Sequence, residues 1–333
     1  MKQIQFNTFG QPSLVAKCVE TPDISSPSAW EVAVDIEAFP INVADLAILS
    51  GNYGTLPKLP ATIGMEAVGR IAECGSAVTN FAVGDRVVLL ANNNWAERRK
   101  VPVATVHKVS STGDVAQLSL LKVNPATAYL LLKNFAKLEP GDWIIQTAPL
   151  SSVGQCIIQI AKDQGLKTVN IIHRAEIEPE VLALGGDIVL LDSEDLADRV
   201  RAALGNESIH LALDAVAGAG IQRIAECLSE GGQIVNYGML SNESCALKPE
   251  QTIFRGITLK GFWLSKILNR MSQADRFLLF KTLGEMVASG QLKIDIDSCF
   301  AISDINQALR RAEQGGRKGK VIVMTGASAI GVT

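Results

Sequence analysis

The segment Gln146–Gln155 carries a residue pattern that suits phosphate binding. It reads Gln-Thr-Ala-Pro-Leu-Ser-Ser-Val-Gly-Gln and follows an apolar run that is typical of a buried strand. Of the dinucleotide fingerprint Gly-x-Gly-x-x-Gly only Gly154 is present, because Pro149 and Ser151 occupy the first two glycine positions. Small residues still let the backbone approach a pyrophosphate, and a helix starting near Val153 would supply N–H donors. An ordinary strand-to-helix turn without a ligand is the alternative.

The end of the next predicted strand indicates which dinucleotide would suit this turn. An NAD-binding fold places Asp or Glu about 20 residues further on, where the carboxylate bonds the 2′-hydroxyl of the ribose. Here the strand ends Ile171-Ile172-His173-Arg174, so cationic side chains stand in that place. A cation suits a 2′-phosphate, which favours NADPH over NADH. The alternative is that Arg174 and His173 are merely solvated surface residues.

Tyr53 has a setting that suits a proton donor. It lies in Gly51-Asn52-Tyr53-Gly54, a loop whose glycines would let a side chain project into a cleft. A tyrosine, with an ordinary pKa of about 10, is protonated at neutral pH and can still donate. The sequence context alone leaves a packing or surface tyrosine as an equal alternative.

The residues that a catalytic zinc site would need are missing from the expected places. Zinc in enzymes is bound by Cys, His and carboxylate side chains. Gly64-Met65-Glu66 has methionine where a Gly-His-Glu motif has its ligand, and Phe39-Pro40-Ile41-Asn42 offers no cysteine. The three histidines fall in three separate predicted elements: His107, His173 and His210. We therefore expect no metal.

The elements that must position these residues change in character near residue 120. Before it, short β-type runs separated by Gly, Pro and Asn predict a β-rich region. After it, strands alternate with helices from Asp142 to Tyr237, which predicts a parallel sheet covered by helices on both faces. β-type runs return with a predicted strand at Ile257–Trp263 and close with Lys320–Met324. We predict a doubly wound α/β domain at 121–290, inserted in a β-rich domain made of 1–120 and 291–333.

Composition narrows the class of protein. The 333 residues suit two domains, and a formal net charge of −3 argues against a general nucleic-acid binder. The six cysteines form no Cys-x-x-Cys pair, and no apolar run approaches the roughly 20 residues that span a bilayer. Met1–Phe6 alternates polar and apolar residues and predicts a strand, not a targeting segment. We expect a cytoplasmic, bacterial protein.

Six stretches, in order over nearly the whole chain, resemble the 2-enoyl thioester reductases of the zinc-free medium-chain dehydrogenase/reductase superfamily, the branch that includes mitochondrial enoyl reductases. They are Ile41–Asp45, Ser50–Gly54, Leu59–Gly69, Val123–Tyr129, Gly141–Ala161 and Gly261–Ser265. The Asn-Pro-x-Thr-Ala-Tyr and Gly-Phe-Trp-Leu-Ser motifs are fairly specific to that branch. The resemblance implies a Rossmann-type domain inserted in a GroES-like catalytic domain.

The resemblance also implies roles for individual residues. Tyr53 would be the catalytic proton donor, and Asn124 would contact the cofactor near the nicotinamide. The other implied contacts are the pyrophosphate turn at Leu150, Ser151, Ser152 and Val153; the 2′-phosphate at His173 and Arg174; the nicotinamide at Tyr237, Gly238 and Met239; the cofactor amide and acyl pocket at Phe262, Trp263, Leu264 and Ser265; and a further cofactor contact from Lys320.

The implied activity is NADPH-dependent reduction of a 2-enoyl thioester of coenzyme A or acyl carrier protein. Hydride goes to Cβ from the cofactor, and Tyr53 gives a proton to Cα. The chain departs from the family at Thr147, where asparagine is frequent, and at His173-Arg174-Ala175, where Arg-Asp-Arg is frequent. One cation is missing, so a weaker NADPH preference is expected. A zinc-free quinone or 2-alkenal reductase and a non-catalytic NADPH-binding protein are the alternatives.

Two further features suggest contacts with partners. Phe262-Trp263-Leu264 is an apolar triplet on a predicted strand, which could line the pocket or pack in the interface of a homodimer. Arg98-Arg99-Lys100, with Lys266 and Arg270, could bind coenzyme A phosphates or an acidic carrier protein. A solvated charged face is the alternative for these cations.

Overall fold

The computed structural model describes residues 1–326, which divide into two compact units. The first unit consists of Met1–Asn124 and the segment that begins at Met271, and the second unit is Pro125–Arg270. The second unit is thus inserted within the first. The helix Gln273–Ala288 belongs to the first unit, whereas the sequence pattern places it with the inserted domain. In residues 1–326 no helix is both long and apolar enough to cross a membrane.

The first part of the first unit is rich in short strands. The strands are β1 (Lys2–Phe6), β2 (Lys17–Glu20), β3 (Glu31–Pro40), β4 (Ala61–Thr62), β5 (Ala67–Cys74), β6 (Arg86–Leu89), β7 (Arg98–Pro102) and β8 (Val106–Lys108). The helices are α1 (Pro12–Val15), α2 (Val43–Leu49) and α3 (Val115–Ser119). Asn42 is the N-cap residue of α2, and its N–H donates to Asp45 Oδ2 at 2.9 Å in the first turn of the helix.

The inserted unit alternates helices and strands. After α4 (Asn124–Asn134) come β9 (Trp143–Thr147), α5 (Ser152–Asp163), β10 (Lys167–Ile172), α6 (Glu178–Ala183), β11 (Ile188–Leu191), α7 (Leu196–Leu204), β12 (Ile209–Asp214), α8 (Gly220–Cys227), β13 (Gln233–Asn236), α9 (Pro249–Ile253), β14 (Thr258–Gly261) and α10 (Leu264–Arg270). Ile171 and Ile172 belong to different apolar clusters, because successive side chains of a strand point to opposite faces. The sheet is therefore buried on two faces.

The chain then returns to the first unit with α11 (Gln273–Ala288), β15 (Ile296–Ala301), α12 (Ile305–Glu313) and β16 (Lys320–Met324). Among the described residues, one sheet has the order β15-β16-β3-β5-β6-β8, with β7 also paired to β3, and a smaller one has the order β2-β1-β4. A single apolar cluster joins β1, β3, β16 and α12. The strand β16 is thereby fixed beside β3, which places Lys320 in the interior of this unit.

The inserted sheet is parallel and has the order β11-β10-β9-β12-β13-β14 within the described residues. Numbered from its first strand this is 3-2-1-4-5-6, the order of doubly wound dinucleotide-binding folds. The winding direction reverses between β9 and β12. In such sheets ligands bind at that reversal, outside the carboxyl ends of the strands. The predicted Rossmann-type architecture is confirmed.

The predicted strand Ile257–Trp263 is wrong at its carboxyl end. β14 stops at Gly261, and Leu264 already begins α10. The Phe262 N–H still bonds the Asn236 carbonyl at 2.8 Å, but the Trp263 carbonyl accepts the N–H groups of Lys266 and Ile267 as the first bonds of the helix. A short apolar triplet suits either element, and the helix-forming residues that follow decide the outcome.

Candidate active site

A pocket with a volume of about 190 Å³ lies in the inserted unit at the reversal of the sheet. Thr147, the last residue of β9, and Asp214, the last residue of β12, both line it. The Thr147 hydroxyl donates to Asp214 Oδ1 at 2.8 Å and accepts the Ala215 N–H at 2.9 Å. These bonds join the ends of the two strands where their connections diverge. The pocket therefore lies where this class of sheet binds its ligand.

The turn between β9 and α5 approaches its own helix closely. Ala148 has a φ of 49°, and Ser151 caps α5 by accepting the Gly154 N–H. A Cβ on Gly154 would lie 2.5 Å from the Ala148 carbonyl oxygen, so only glycine fits there. The predicted turn residues Leu150, Ser151, Ser152 and Val153 are all half-buried at the N-terminal end of α5.

Tyr237 presents a buried hydroxyl near this turn. Its side-chain oxygen has no hydrogen-bond partner within residues 1–326. Burial, followed by the charge of Asp214, raises the pKa of Tyr237, and the nearby Ser151 side chain partly lowers it. Gly238 allows the backbone to pass close to Ala215, and Met239 is exposed. The hydroxyl of Tyr237 thus lies near the start of α5.

The charged lining of the pocket differs from the pair that the sequence indicates. His173 lines the pocket with its Nδ1 3.7 Å from Asp192 Oδ2, whereas Arg174 is exposed and outside the lining. Arg223 also lines the pocket, and its guanidinium makes a bidentate pair with Asp192 at 2.7 and 2.6 Å. Because of this pair, the Arg223 charge is largely neutralised by the Asp192 carboxylate.

The first unit contains a buried polar cluster that includes two of the sequence-predicted residues, Asn124 and Lys320. Asn42 lies between them: its Oδ1 accepts from Lys320 Nζ at 2.5 Å and from Asn124 Nδ2 at 3.3 Å. The Asn42 amide nitrogen donates to Glu66 Oε1 at 2.9 Å. All four side chains are 6% exposed or less.

Two further charged side chains complete this cluster. Asp45 accepts the N–H groups of Asn42 and Met65, and Lys122 Nζ donates to the Met65 carbonyl at 2.5 Å and to Asn92 Oδ1 at 3.0 Å. Burial raises the pKa of Asp45 to about 7 and lowers the pKa of Lys122 to about 8. Burial also raises the pKa of Glu66. In their charged forms two carboxylates and two ammonium groups balance one another.

Tyr53 also lies in the first unit, in the loop after α2. The Asn52 N–H bonds the Ala47 carbonyl at 2.8 Å, and Gly51 adopts a φ of 78°. This left-handed residue turns the chain away from the helix, as glycine readily does. The Tyr53 side chain is half-buried. Its setting is that of a partly accessible loop tyrosine.

The segment Phe262–Ser265 is mostly packed within the inserted unit. Phe262 is buried with its ring 6.1 Å from that of Phe135, and Leu264 is buried as well. Trp263 and Ser265 are half-buried, and the Lys266 ammonium lies 5.0 Å above the Trp263 ring. Trp263 and Ser265 are the members of the segment with surface to offer a ligand.

The cations at the start of β7 already have partners in the first unit. Arg98 pairs with Asp35 at 2.5 Å and Asp23 at 2.9 Å, and Lys100 donates to Ser25 at 2.7 Å. These contacts favour the solvated-face interpretation of Arg98-Arg99-Lys100.

The sequence did not point to Asp192, Asp214 and Arg223 in the pocket or to the central position of Asn42 in the buried cluster. Asp192 and Asp214 carry a usable signal, since each directly follows or ends an apolar strand that leads to the binding edge of the sheet. Arg223 and Asn42 carry none, because their partners are distant in sequence. Within residues 1–326 no three His, Cys, Asp or Glu side chains are grouped so as to hold a metal ion.

Comparison with known sequences gives two family matches and a close relative. The model described as alcohol dehydrogenase GroES-like domain matches residues 28–124, and the one described as zinc-binding dehydrogenase matches residues 152–279. The mitochondrial enoyl-[acyl-carrier-protein] reductase of Dictyostelium discoideum is 34% identical over 331 residues, covering 97% of this chain and 94% of that protein.

Solved structures share the same architecture. Quinone oxidoreductase of Escherichia coli, solved in complex with NADPH, is 23% identical with a TM-score of 0.86, covering 97% of this chain and 100% of that one. A mutant enoyl thioester reductase from Candida tropicalis is 21% identical with a TM-score of 0.85, covering 97% and 99%. Both have the fold described above: a Rossmann-type unit inserted in a β-rich GroES-like unit.

Proposed function

Because this chain is an oxidoreductase that belongs to the medium-chain dehydrogenase/reductases, in the family of the mitochondrial-type enoyl reductases, we propose that it is a zinc-independent, NADPH-dependent reductase of 2-enoyl thioesters. Its similarity to the Dictyostelium discoideum enoyl reductase along nearly the whole chain is the observation that carries the proposal. The tyrosine that the family would use as its acid is present as Tyr53, in a partly accessible loop.

The inserted unit fits a dinucleotide. Its pocket lies at the reversal of the sheet, and the buried Tyr237 hydroxyl near the start of α5 would gain a partner if a phosphate oxygen were present. The N-terminus of α5 favours an anion in the same place. The Escherichia coli relative solved with NADPH supports the identity of the cofactor. When bound, NADPH would supply the hydride for Cβ of the substrate.

The protein's own part in the reaction is to orient the reactants and to supply a proton. Tyr53, protonated at neutral pH, would donate that proton to Cα of the enolate. Asn124, which Asn42 links to Lys320, would contact the cofactor. The substrate would be an enoyl thioester of coenzyme A or acyl carrier protein. The homodimer and the cytoplasmic location remain predictions.

Steady-state oxidation of NADPH tests the proposal. The purified protein is given crotonyl-coenzyme A or 1,4-benzoquinone as acceptor, and we expect a higher kcat/KM for crotonyl-coenzyme A. A preference for the quinone would replace the proposal by a zinc-free quinone reductase. Failure to oxidise NADPH with either acceptor, despite NADPH binding, would favour a cofactor-binding protein without catalysis.

Tyr53→Phe tests the assigned acid. Removing the hydroxyl should lower turnover of crotonyl-coenzyme A at least about tenfold, since a positioned acid contributes roughly 10²–10⁴-fold. The Kd for NADPH, measured by protein fluorescence, should stay nearly unchanged. Tyr129→Phe is the matched control and should retain full turnover. Equal rates for wild type and Tyr53→Phe would remove Tyr53 from the mechanism.

A further inference from the structure

Lys320 is a cation buried in the first unit. Its side chain is 6% exposed and lies on β16, which the apolar cluster of that unit holds beside β3. An ammonium group in such a place is costly unless charges and hydrogen bonds compensate it. Glu66 and Asp45, 1% and 0% exposed, supply the opposite charge, and the charge of Lys320 acts on both carboxyl groups.

The contact that distinguishes Lys320 is with an amide. Its Nζ donates to Asn42 Oδ1 at 2.5 Å, while Asn42 Nδ2 donates to Glu66 Oε1 at 2.9 Å. The oxygen of this amide therefore bonds a donor, and its nitrogen bonds an acceptor. Rotating the amide by half a turn would set an N–H donor against the ammonium and an oxygen against the carboxylate. Lys320 and Glu66 together fix the orientation of Asn42.

The orientation of Asn42 determines that of Asn124. Asn42 Oδ1 is an acceptor, so Asn124 turns its Nδ2 towards it, at 3.3 Å. The oxygen of the Asn124 amide is then the end left for a ligand. Glu66 also holds the backbone here, because its Oε2 accepts the N–H groups of Lys122 and Val123 at 2.8 Å, immediately before Asn124.

Lys122 provides an internal comparison. It is the second buried ammonium of the same cluster and is 5% exposed. Its Nζ donates to the Met65 carbonyl and to Asn92, and so it stabilises loops instead of the Asn42 amide. Both lysines balance the charge of Glu66 and Asp45, but only the bond from Lys320 leads to Asn124.

We propose that Lys320 is a positioning residue, whose ammonium fixes the amide of Asn42 and thereby presents the oxygen of Asn124 as a hydrogen-bond acceptor for an N–H or O–H donor of the bound nicotinamide cofactor. The inference rests on the proposed function, because it takes Asn124 to be a cofactor contact. It changes the expected role of Lys320 from a direct contact to one exerted through Asn42.

A double-mutant cycle on NADPH affinity tests the proposal. Lys320→Met and Asn124→Ala should each raise the Kd roughly fivefold, about the effect of one lost hydrogen bond. If Lys320 acts through Asn124, the Kd of the double variant should equal that of Asn124→Ala within about twofold, because the effects of substitutions at coupled residues are not additive. Independent, multiplied effects of about 25-fold would overturn the proposal, as would a normal Kd for Lys320→Met.

Lys122→Met is the control for losing a buried ammonium as such. It should lower the thermal midpoint at least as much as Lys320→Met but raise the Kd for NADPH much less than Lys320→Met does, because its Nζ makes no bond to Asn42. An equal rise of Kd in both lysine variants would show a general structural effect and contradict the proposal. If Lys320→Met does not fold, Asn42→Ala takes its place in the cycle, with the same expected loss of additivity against Asn124→Ala.

The double-mutant cycle measures the Kd for NADPH, whereas the proposed function is tested by turnover, so the two can fail separately. A wild-type protein that binds NADPH but prefers a quinone would remove the enoyl-thioester assignment and leave the cycle fully measurable. A wild-type protein that binds no NADPH would contradict both the proposed function and the proposed role of Lys320.

Discussion

The proposed preference for NADPH would depend on a few charged side chains. Around the pocket, His173 and Arg223 lie in the lining together with the carboxylates of Asp192, Asp214 and Glu243. Arg223 is held by Asp192 in two hydrogen bonds, so it has little charge to offer a 2′-phosphate. Arg174 directly follows His173 and is exposed. No bidentate ion pair like that of Arg223 is described for it within residues 1–326. Arg174 is therefore the residue on which an NADPH preference would depend.

Arg174→Ala should reduce the difference between the Kd values for NADPH and NADH. We expect the Kd for NADPH to rise about fivefold, the effect of losing one charge-assisted bond at an exposed site, while the Kd for NADH stays the same. Fluorescence titration of both cofactors measures this. Arg201→Ala, which removes an exposed cation paired with Asp198 on α7, should change neither Kd. Parallel changes for NADPH and NADH would mean that Arg174 does not read the 2′-phosphate.

At the scale of elements, a bidentate ion pair joins β15 to α12. Arg311 donates to both oxygens of Asp297, at 2.8 and 2.5 Å, and the Lys318 N–H adds a third bond. Hydrogen bonds from Arg311 first, and then from Ser298 and Lys318, lower the pKa of Asp297 from 3.8 to about 2. A carboxyl group whose pKa is lower in the folded state stabilises the fold above its unfolded pKa, and this contribution is lost as the pH falls towards the folded pKa.

Asp297→Asn should therefore destabilise the protein in a pH-dependent way. Near pH 7 we expect a loss of about 1 kcal/mol in the free energy of unfolding, after allowance for solvent screening. The gap between variant and wild type should shrink as the pH falls from about 4 to about 2. Urea unfolding at several pH values measures it. Asp198→Asn, at an exposed helical pair, should have almost no effect. A difference in the free energy of unfolding that does not depend on pH would contradict the lowered pKa of Asp297.

The elements show which parts of the fold the sequence could predict. The strand predicted to end at Ile171-Ile172-His173-Arg174 is observed as Lys167–Ile172. It could be predicted because a strand buried on both faces is a continuous apolar run. Leu264 was misplaced on a strand, since an apolar triplet has no period that separates strand from helix. The cluster at Asn42 could not be predicted from the sequence. Asn42 bonds Asn124 and Lys320, which lie 82 and 278 residues away in the chain. Side-chain contacts at such separations depend on the tertiary fold.

On the scale of the whole molecule, the two units contribute different parts of the proposed chemistry. The inserted unit has the pocket and the helix terminus that suit a dinucleotide. The first unit has Tyr53 and the amides ordered by Lys320. Under the proposed function, the inserted unit would bind the cofactor and the β-rich unit would supply the acid. This division explains why the pattern of the inserted unit alone predicts NADPH binding without predicting a substrate.

The outer edge of the inserted sheet leads to a last prediction, the homodimer. β14 is one of the two outer strands in the described sheet, and just before it Ile253 and Phe254 are 71% and 77% exposed. An exposed strand edge beside apolar side chains favours pairing with a second copy about a two-fold axis. Light scattering after size exclusion should give twice the 35.5 kDa of the chain. Phe254→Asp should give the mass of one chain, whereas Val83→Asp, at an exposed apolar residue of the first unit, should keep the dimer. A monomeric wild type at about 10 μM, well above the Kd of a stable dimer, would refute this interface.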